Sequence, residues 1–155
     1  MSLPKFAFLT AALLTGALLT GAVAQAAGMA DAIKSRHSNF ERMGKATKAI
    51  MNQLKQSSPS LAVIRPNAQV LATRAQLVAR GFPKGSGPES GLKTEALPAI
   101  WQKPAEFEKA GDNLVAAANA LVQAAASGDI ARIKAAQANV GAACKGCHDQ
   151  FRRKD

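Results

Sequence analysis

The feature that most restricts the fold is an apolar stripe that runs through the last part of the chain and carries both of its cysteines. The stripe follows Asp129, and its members recur at spacings of three, four and seven residues. They are Ile130, Ile133, Val140, Cys144, Cys147 and Phe151. That spacing places them on one face of a helix. The two thiols therefore belong to a buried helix face, which must pack against other helices.

Three more helices are predicted upstream. The first runs from Met29 to about Ser57 without a proline, and the second has Pro66 in its first turn and continues to about Arg80. The third begins at Pro104 and ends at the turn sequence SGD. The predicted buried face of the first helix consists of Ile33, His37, Phe40, Gly44, Thr47, Met51 and Leu54. The third carries Phe107, Leu114 and Leu121 in heptad register.

The segment between the second and third helices is irregular. Its sequence, GFPKGSGPESGLKTEALP, is too rich in glycine and proline for a helix or a strand. No segment of the chain shows the strict alternation of apolar and polar residues that a half-buried strand has. The expected fold is all-α, an antiparallel four-helix bundle with one long crossover connection.

Residues 1–26 have the layout of a secretory signal peptide. Lys5 precedes an uncharged apolar run, and two A-x-A cleavage patterns follow it, in AVA and AQA. An uncleaved membrane anchor is the alternative, because the apolar run is nearly long enough to span a bilayer. We expect cleavage, export to the periplasm and a single mature domain over residues 27–155.

The chain is basic, with 20 Lys and Arg against 10 Asp and Glu, a formal net charge of +10. Loss of Lys5 with the signal peptide leaves 19 minus 10, or +9. The basic residues are not clustered with aromatic residues, and we expect no nucleic-acid partner. An acidic redox partner, an anionic surface and solubility are all compatible with this charge.

The motif on the last helix is C-x-x-C-H, formed by Cys144, Cys147 and His148. This is the pattern of c-type haem attachment. The two thiols add to the haem vinyl groups, and the adjacent imidazole can reach the iron. The motif predicts one covalently attached haem c per chain, with His148 as its metal ligand.

Other uses of these residues are less consistent with the sequence. A zinc site needs more ligands, and His37 is the only other His or Cys. A disulfide between Cys144 and Cys147 is awkward across one helical turn and leaves His148 unexplained. A thiol–disulfide protein without haem would place C-x-x-C at a helix N-terminus.

The mature chain resembles the class II cytochromes c, most closely the cytochromes c-prime. Three stretches carry the resemblance: GAACKGCHDQFRRK, ALPAIWQKPAEF and SRHSNFERM. By resemblance, Cys144 and Cys147 carry the haem thioethers and His148 is the proximal ligand. Arg152 matches the basic residue that flanks the proximal face. Arg36 matches the family's arginine, which is expected near a haem propionate. Phe40 matches the family's residue on the distal side of the haem. Arg36 could also be an ordinary surface charge.

The sixth coordination position of the iron separates two functions. Only seven residues follow His148, so we expect any further ligand to come from upstream, and low-spin relatives use a methionine of the first helix. Phe40 occupies that place and has no lone pair to donate, so we expect five-coordinate, high-spin iron. Met43, Met51 and His37 are the alternative ligands.

The predicted function is that of a periplasmic monohaem cytochrome for one-electron transfer, for binding of nitric oxide or carbon monoxide, or for both. The alternative is a low-spin electron-transfer cytochrome with a distal methionine. We expect redox partner proteins and small diatomic gases as partners, and the resemblance implies possible dimerisation through the first two helices. No Ser/His/Asp set or carboxylate pair appears, and we expect no enzymatic turnover.

Overall fold

The structure is a computed structural model that describes the backbone of residues 16–154 and the side chains of residues 27–154. Five helices follow one another along the described chain. They are α1 (Gly16–Leu54), α2 (Leu61–Ala75), the short α3 (Ala99–Gln102), α4 (Pro104–Ser127) and α5 (Ile130–Phe151). The four long helices form the bundle, with α1 against α2, α2 against α4 and α4 against α5. This confirms the predicted all-α four-helix bundle.

The predicted crossover is also confirmed. Residues 82–98 connect α2 to the second half of the bundle, following a 3₁₀ turn at Ala79–Gly81 and including another at Pro88–Ser90. An isolated β-bridge joins Ala96 to Arg152, and residues 16–154 contain no longer strand pairing. The crossover therefore reaches the end of α5.

Three helix limits differ from the prediction, and one of them is the end of α2, which lies at Ala75 rather than at about Arg80. α1 starts at Gly16 rather than Met29, because the alanine- and leucine-rich residues before Met29 also favour a helix. α2 starts at Leu61, after the N-cap residue Ser60, so Pro66 lies inside this helix and not in its first turn. Pro66 and Ala62 are both exposed, and water can therefore hydrate the carbonyl that the proline leaves without a donor.

The predicted signal peptide covers residues 1–26, and the structure describes only part of this segment. Residues 1–15 lie outside the described residues, and the backbone of residues 16–26 forms the beginning of α1. Among the described helices, none is both long enough and apolar enough to cross a membrane.

The core lies between the long helices and consists mainly of aliphatic and alanine side chains. Its largest fully buried apolar residues are Ile50, Ile64, Leu71, Leu121, Ile133 and Val140. The core-facing side of α1 carries Ile33, Met43, Ala46 and Ile50. His37, Gly44 and Met51, which the periodicity placed on the buried face, are exposed. The prediction was wrong for these three residues because α1 has two inward sides, one against the core and one facing a cavity.

The junction between α4 and α5 follows the sequence signals closely. Gly128 adopts a left-handed conformation with φ of 76°, which glycine adopts without steric cost. Asp129 is the N-cap of α5, and its Oδ1 accepts hydrogen bonds from the N–H groups of Ala131 (2.9 Å) and Arg132 (3.1 Å). The start of the helix that carries the cysteines is thus fixed locally.

Replacement of this cap should destabilise the protein. Asp129→Ala removes both hydrogen bonds, and we expect the free energy of unfolding of the purified protein to fall by about 1 kcal/mol. Urea denaturation followed by circular dichroism measures the change. Ser60→Ala is the matched control, because Ser60 is the N-cap of α2 but its side chain makes no capping hydrogen bond. Equal losses in the two variants would contradict the assigned role of Asp129.

Candidate functional site

A cavity of about 690 Å³ lies inside the bundle, bordered mainly by α1, α4, α5 and the crossover, with one residue each from α2 and α3. Its volume is within the range of small-molecule and cofactor sites. Most of its inner wall is apolar, formed by Phe40, Met43, Leu71, Val78, Phe82, Ile100, Phe107, Leu114 and Phe151. It opens to solvent along α1 and near the end of α5, where several lining residues are exposed.

The cavity brings together all six residues singled out in the sequence. Those residues are Arg36, Phe40, Cys144, Cys147, His148 and Arg152. The alternative ligands Met43, Met51 and His37 line it as well. The structure thus places the α5 motif and the α1 residues at one site, although more than a hundred residues separate them along the chain.

The α5 side of the cavity carries the thiols and the imidazole. Cys144 and Cys147 are half-buried and are not bonded to each other. Burial raises the pKa of both thiols, so at neutral pH they are protonated, unlike the activated thiol of a C-x-x-C redox protein. Burial, together with the cationic Arg152, lowers the pKa of His148. A neutral imidazole is the form that can donate a lone pair to a metal.

The α1 side carries Phe40 and Met43. Phe40 is half-buried and packs against Phe82, with the ring centroids 6.3 Å apart. Met43 is buried, and its Sδ lies 3.8 Å from Nδ2 of Asn39, within reach of a weak hydrogen bond. Phe40 therefore presents a ring without a lone pair, while the thioether of Met43 already has a polar neighbour within α1.

Arg36 is a buried cation, and the surface-charge alternative for it is wrong. Only 4% of the residue is exposed. Nη1 donates to Oγ of Ser86 (2.8 Å), and Nη2 donates to the Ser86 carbonyl (2.7 Å) and to Oγ1 of Thr94 (2.6 Å). The guanidinium also lies over the ring of Phe82, 4.7 Å from its centroid. Burial lowers the pKa of Arg36, and the nearby Glu89 opposes this effect.

Arg152 connects the end of α5 to the crossover. Its Nε donates to Oε2 of Glu95 at 2.7 Å, which lowers the pKa of that carboxyl. The backbones are joined as well, since the N–H of Arg153 donates to the Glu95 carbonyl (2.8 Å) and that of Leu97 to the Phe151 carbonyl (2.9 Å). These bonds hold the chain just beyond His148 against a fixed part of the cavity wall.

Four crossover residues at this site were not predicted: Phe82, Ser86, Thr94 and Glu95. Phe82 contacts the rings of Phe40, Trp101 and Phe107, and Nε1 of Trp101 donates to the Phe82 carbonyl at 3.1 Å. The only signal in the sequence was the presence of a large ring in an otherwise glycine- and proline-rich segment. No periodicity connects such a segment to a particular helix.

A comparison with known proteins identifies the family to which this chain belongs. The family model for cytochrome c′ matches residues 31–152. The chain belongs to the cytochrome c′ family. The cytochrome c′ of Rubrivivax gelatinosus is 38% identical over 125 residues, which cover 80% of this chain and 95% of the relative.

Two solved structures extend the similarity to the fold. A nitric oxide complex of a variant cytochrome c prime from Alcaligenes xylosoxidans has a TM-score of 0.73 and 31% identity, covering 81% of this chain and 97% of the other. A second structure is that of a cytochrome c′ with ligand-controlled dimer dissociation. It has a TM-score of 0.74 and 30% identity, and the match covers 80% of this chain and 95% of the other.

The cofactor of this cytochrome c′ family member is one covalently attached haem c per chain. The cavity fits that group in three respects. It is apolar, it presents two unbonded thiols one helical turn apart, and it has a neutral imidazole next to the second thiol. Across the described chain, no cluster of three His, Cys, Asp or Glu side chains could bind a metal ion by itself.

The hydrogen bonds of Arg36 should be important for stability. Arg36→Met fills much of the same volume but leaves the buried acceptors of Ser86 and Thr94 without their donor. We expect the free energy of unfolding of the haem-loaded protein to fall by about 2 kcal/mol, measured by urea denaturation. Arg42→Met, an exposed arginine on the same helix, is the control and should change stability by about 0.5 kcal/mol or less. Similar losses in both variants would show that the Arg36 contacts contribute little.

Proposed function

We propose that this protein is a periplasmic cytochrome in which Cys144 and Cys147 carry the haem thioethers and His148 is the proximal iron ligand. The observation that carries the proposal is that both thiols and the adjacent imidazole line the same apolar cavity. Attachment to two half-buried positions on one helix fixes the cofactor against α5. The bound haem supplies one iron centre that can exchange an electron or accept a small neutral ligand.

Phe40 is the proposed residue on the distal side of the iron. It comes from α1, and its half-buried ring contacts the ring of Phe82, which helps to fix the position of the phenyl group. An apolar ring in this place offers no hydrogen bond to a water molecule. The site would therefore favour nitric oxide and carbon monoxide over water. The nitric oxide complex of the Alcaligenes relative supports nitric oxide as one ligand of this site.

Arg36 and Arg152 have proposed roles at the edge of the site. Both line the cavity, and both are anchored by crossover residues. A guanidinium has five N–H donors. Arg36 directs three of them to Ser86 and Thr94, which leaves two N–H groups for another acceptor. A haem propionate is the partner we propose for the remainder. Arg152 is proposed to flank the proximal side, one turn after His148.

The cellular setting is part of the proposal. A cleaved signal peptide over residues 1–26 would export the chain to the periplasm, where it would exchange electrons with redox partner proteins and would not act as an enzyme. Val70 and Leu77 are seven residues apart and about 40% exposed on or just beyond α2, which supports pairing of two copies through α1 and α2. Sedimentation equilibrium of the holoprotein measures that pairing.

Met43 is the alternative sixth ligand of the iron, because it lines the same cavity as Phe40. The two forms differ in the optical spectrum of the purified holoprotein. We expect broad high-spin bands, a rapid spectral change when carbon monoxide is added to the reduced protein, and an unchanged spectrum in Met43→Leu. Met43→Leu approximately conserves volume, so it should fold normally. Sharp low-spin bands that disappear in Met43→Leu would establish Met43 as a ligand and contradict the open site.

A further inference from the structure

The charges of the chain are distributed unevenly. Residues 42–88 contain eight basic residues and no acidic residue, whereas all ten acidic residues lie at position 41 or before, or at position 89 or after. The eight are Arg42, Lys45, Lys48, Lys55, Arg65, Arg74, Arg80 and Lys84. This segment includes the last third of α1 and the whole of α2. This segment therefore has a formal charge of +8, which is offset in part by Asp31, since Asp31 lines a second pocket together with Arg42 and Arg74.

Part of this segment borders the opening of the cavity. Lys48, Met51 and Lys55 all line the cavity and are all exposed. They are three and four residues apart, which places Lys48 and Met51 on one side of α1 and Lys55 in the turn directly after its end at Leu54. Met51 is 45% exposed, slightly more than Val70, Leu77 and Leu92, which are about 40% exposed. We call these three residues the α1 row.

The charges of the α1 row are not neutralised within the described residues. The ion pairs there join Lys103 to Glu106, Lys145 to Asp149 and Arg152 to Glu95. Two carboxylates, Glu41 and Glu95, also line the cavity. Glu95 is paired with Arg152, which leaves Glu41 against Lys48 and Lys55. The protein side chains at the opening of the cavity therefore carry an excess of positive charge.

We propose that the α1 row is the docking surface for an acidic face of an electron-transfer partner protein. This inference rests on the proposed function, because it assumes that the iron lies in the cavity beside the row. An exposed apolar side chain between two cations is the arrangement expected of a small, transient interface, with an apolar centre and a charged rim. The lysines would accelerate encounter with a partner of opposite charge, and Met51 would make the close contact.

The experiment compares two variants that change the net charge equally. Lys48→Gln/Lys55→Gln removes the two charges of the α1 row. Lys109→Gln/Lys134→Gln removes two exposed lysines of α4 and α5 that do not line the cavity. The reduced holoprotein is mixed with hexacyanoferrate(III), which takes one electron from the protein and becomes hexacyanoferrate(II). The rate is measured at increasing ionic strength.

At low salt we expect the α1-row variant to react about fivefold more slowly than the unmodified protein. The control variant should react at close to the original rate. The difference should disappear at about 1 M salt, where the screening length is only about 3 Å. Oxidation by the cationic tris(1,10-phenanthroline)cobalt(III) should not be slowed by the α1-row substitutions. Equal slowing in the two variants would overturn the proposal, because only the net charge of the protein would then matter.

A second probe tests for a surface of macromolecular size. Poly-L-glutamate should inhibit oxidation of the unmodified protein by hexacyanoferrate(III) and should inhibit the α1-row variant much less. Binding to phosphatidylglycerol vesicles that depends on Lys48 and Lys55, without inhibition by poly-L-glutamate, would assign the row to a membrane and overturn the proposal. A protein without a haem absorption band would instead refute the proposed function. Normal haem absorption with equal rates would refute the docking surface alone.

Discussion

One buried guanidinium connects the regular part of this fold to its irregular part. Arg36 projects from α1. Ser86 and Thr94 of the crossover accept three hydrogen bonds from its guanidinium, and these bonds offset the cost of burying the charge. A buried charge without such partners would cost several kcal/mol. The crossover is held at its other end by the ion pair between Glu95 and Arg152. The wall of the cavity thus depends on polar contacts at both ends, although most of its surface is apolar.

Between these two anchors lies a cluster of aromatic rings in a chain that has few of them. Phe82 contacts Phe107, and Phe107 contacts Phe151, with centroid distances of 5.0 and 5.2 Å and edge-to-face geometry. Elsewhere the helices meet through alanine and aliphatic side chains, as at Ala68, Ala118 and Ala125. Bulky side chains are therefore concentrated around the cavity. Changes in the crossover should affect the haem environment even though the crossover carries no predicted iron ligand.

Much of this arrangement could be predicted from the sequence, and the exceptions have physical reasons. The spacing of Cys144, Cys147 and His148 depends on one helix alone, and the predicted helix places them on one cavity wall. Periodicity identified Phe40 correctly but also placed His37, Gly44 and Met51 in the core, because a cavity-facing side and a core-facing side have the same period. Ser86, Thr94 and Glu95 could not be found, since their contacts with distant arginines are long-range and follow no repeat.

The central claim is that Cys144 and Cys147 hold one haem c covalently in this cavity. The most direct test is the intact mass of the exported protein, measured after complete denaturation, beside the same measurement on Cys144→Ala/Cys147→Ala. We predict the mass of a chain beginning near residue 27 plus the mass of one haem, with the added mass absent from the variant. A denatured chain without the haem mass, or a variant that retains it, would contradict the account.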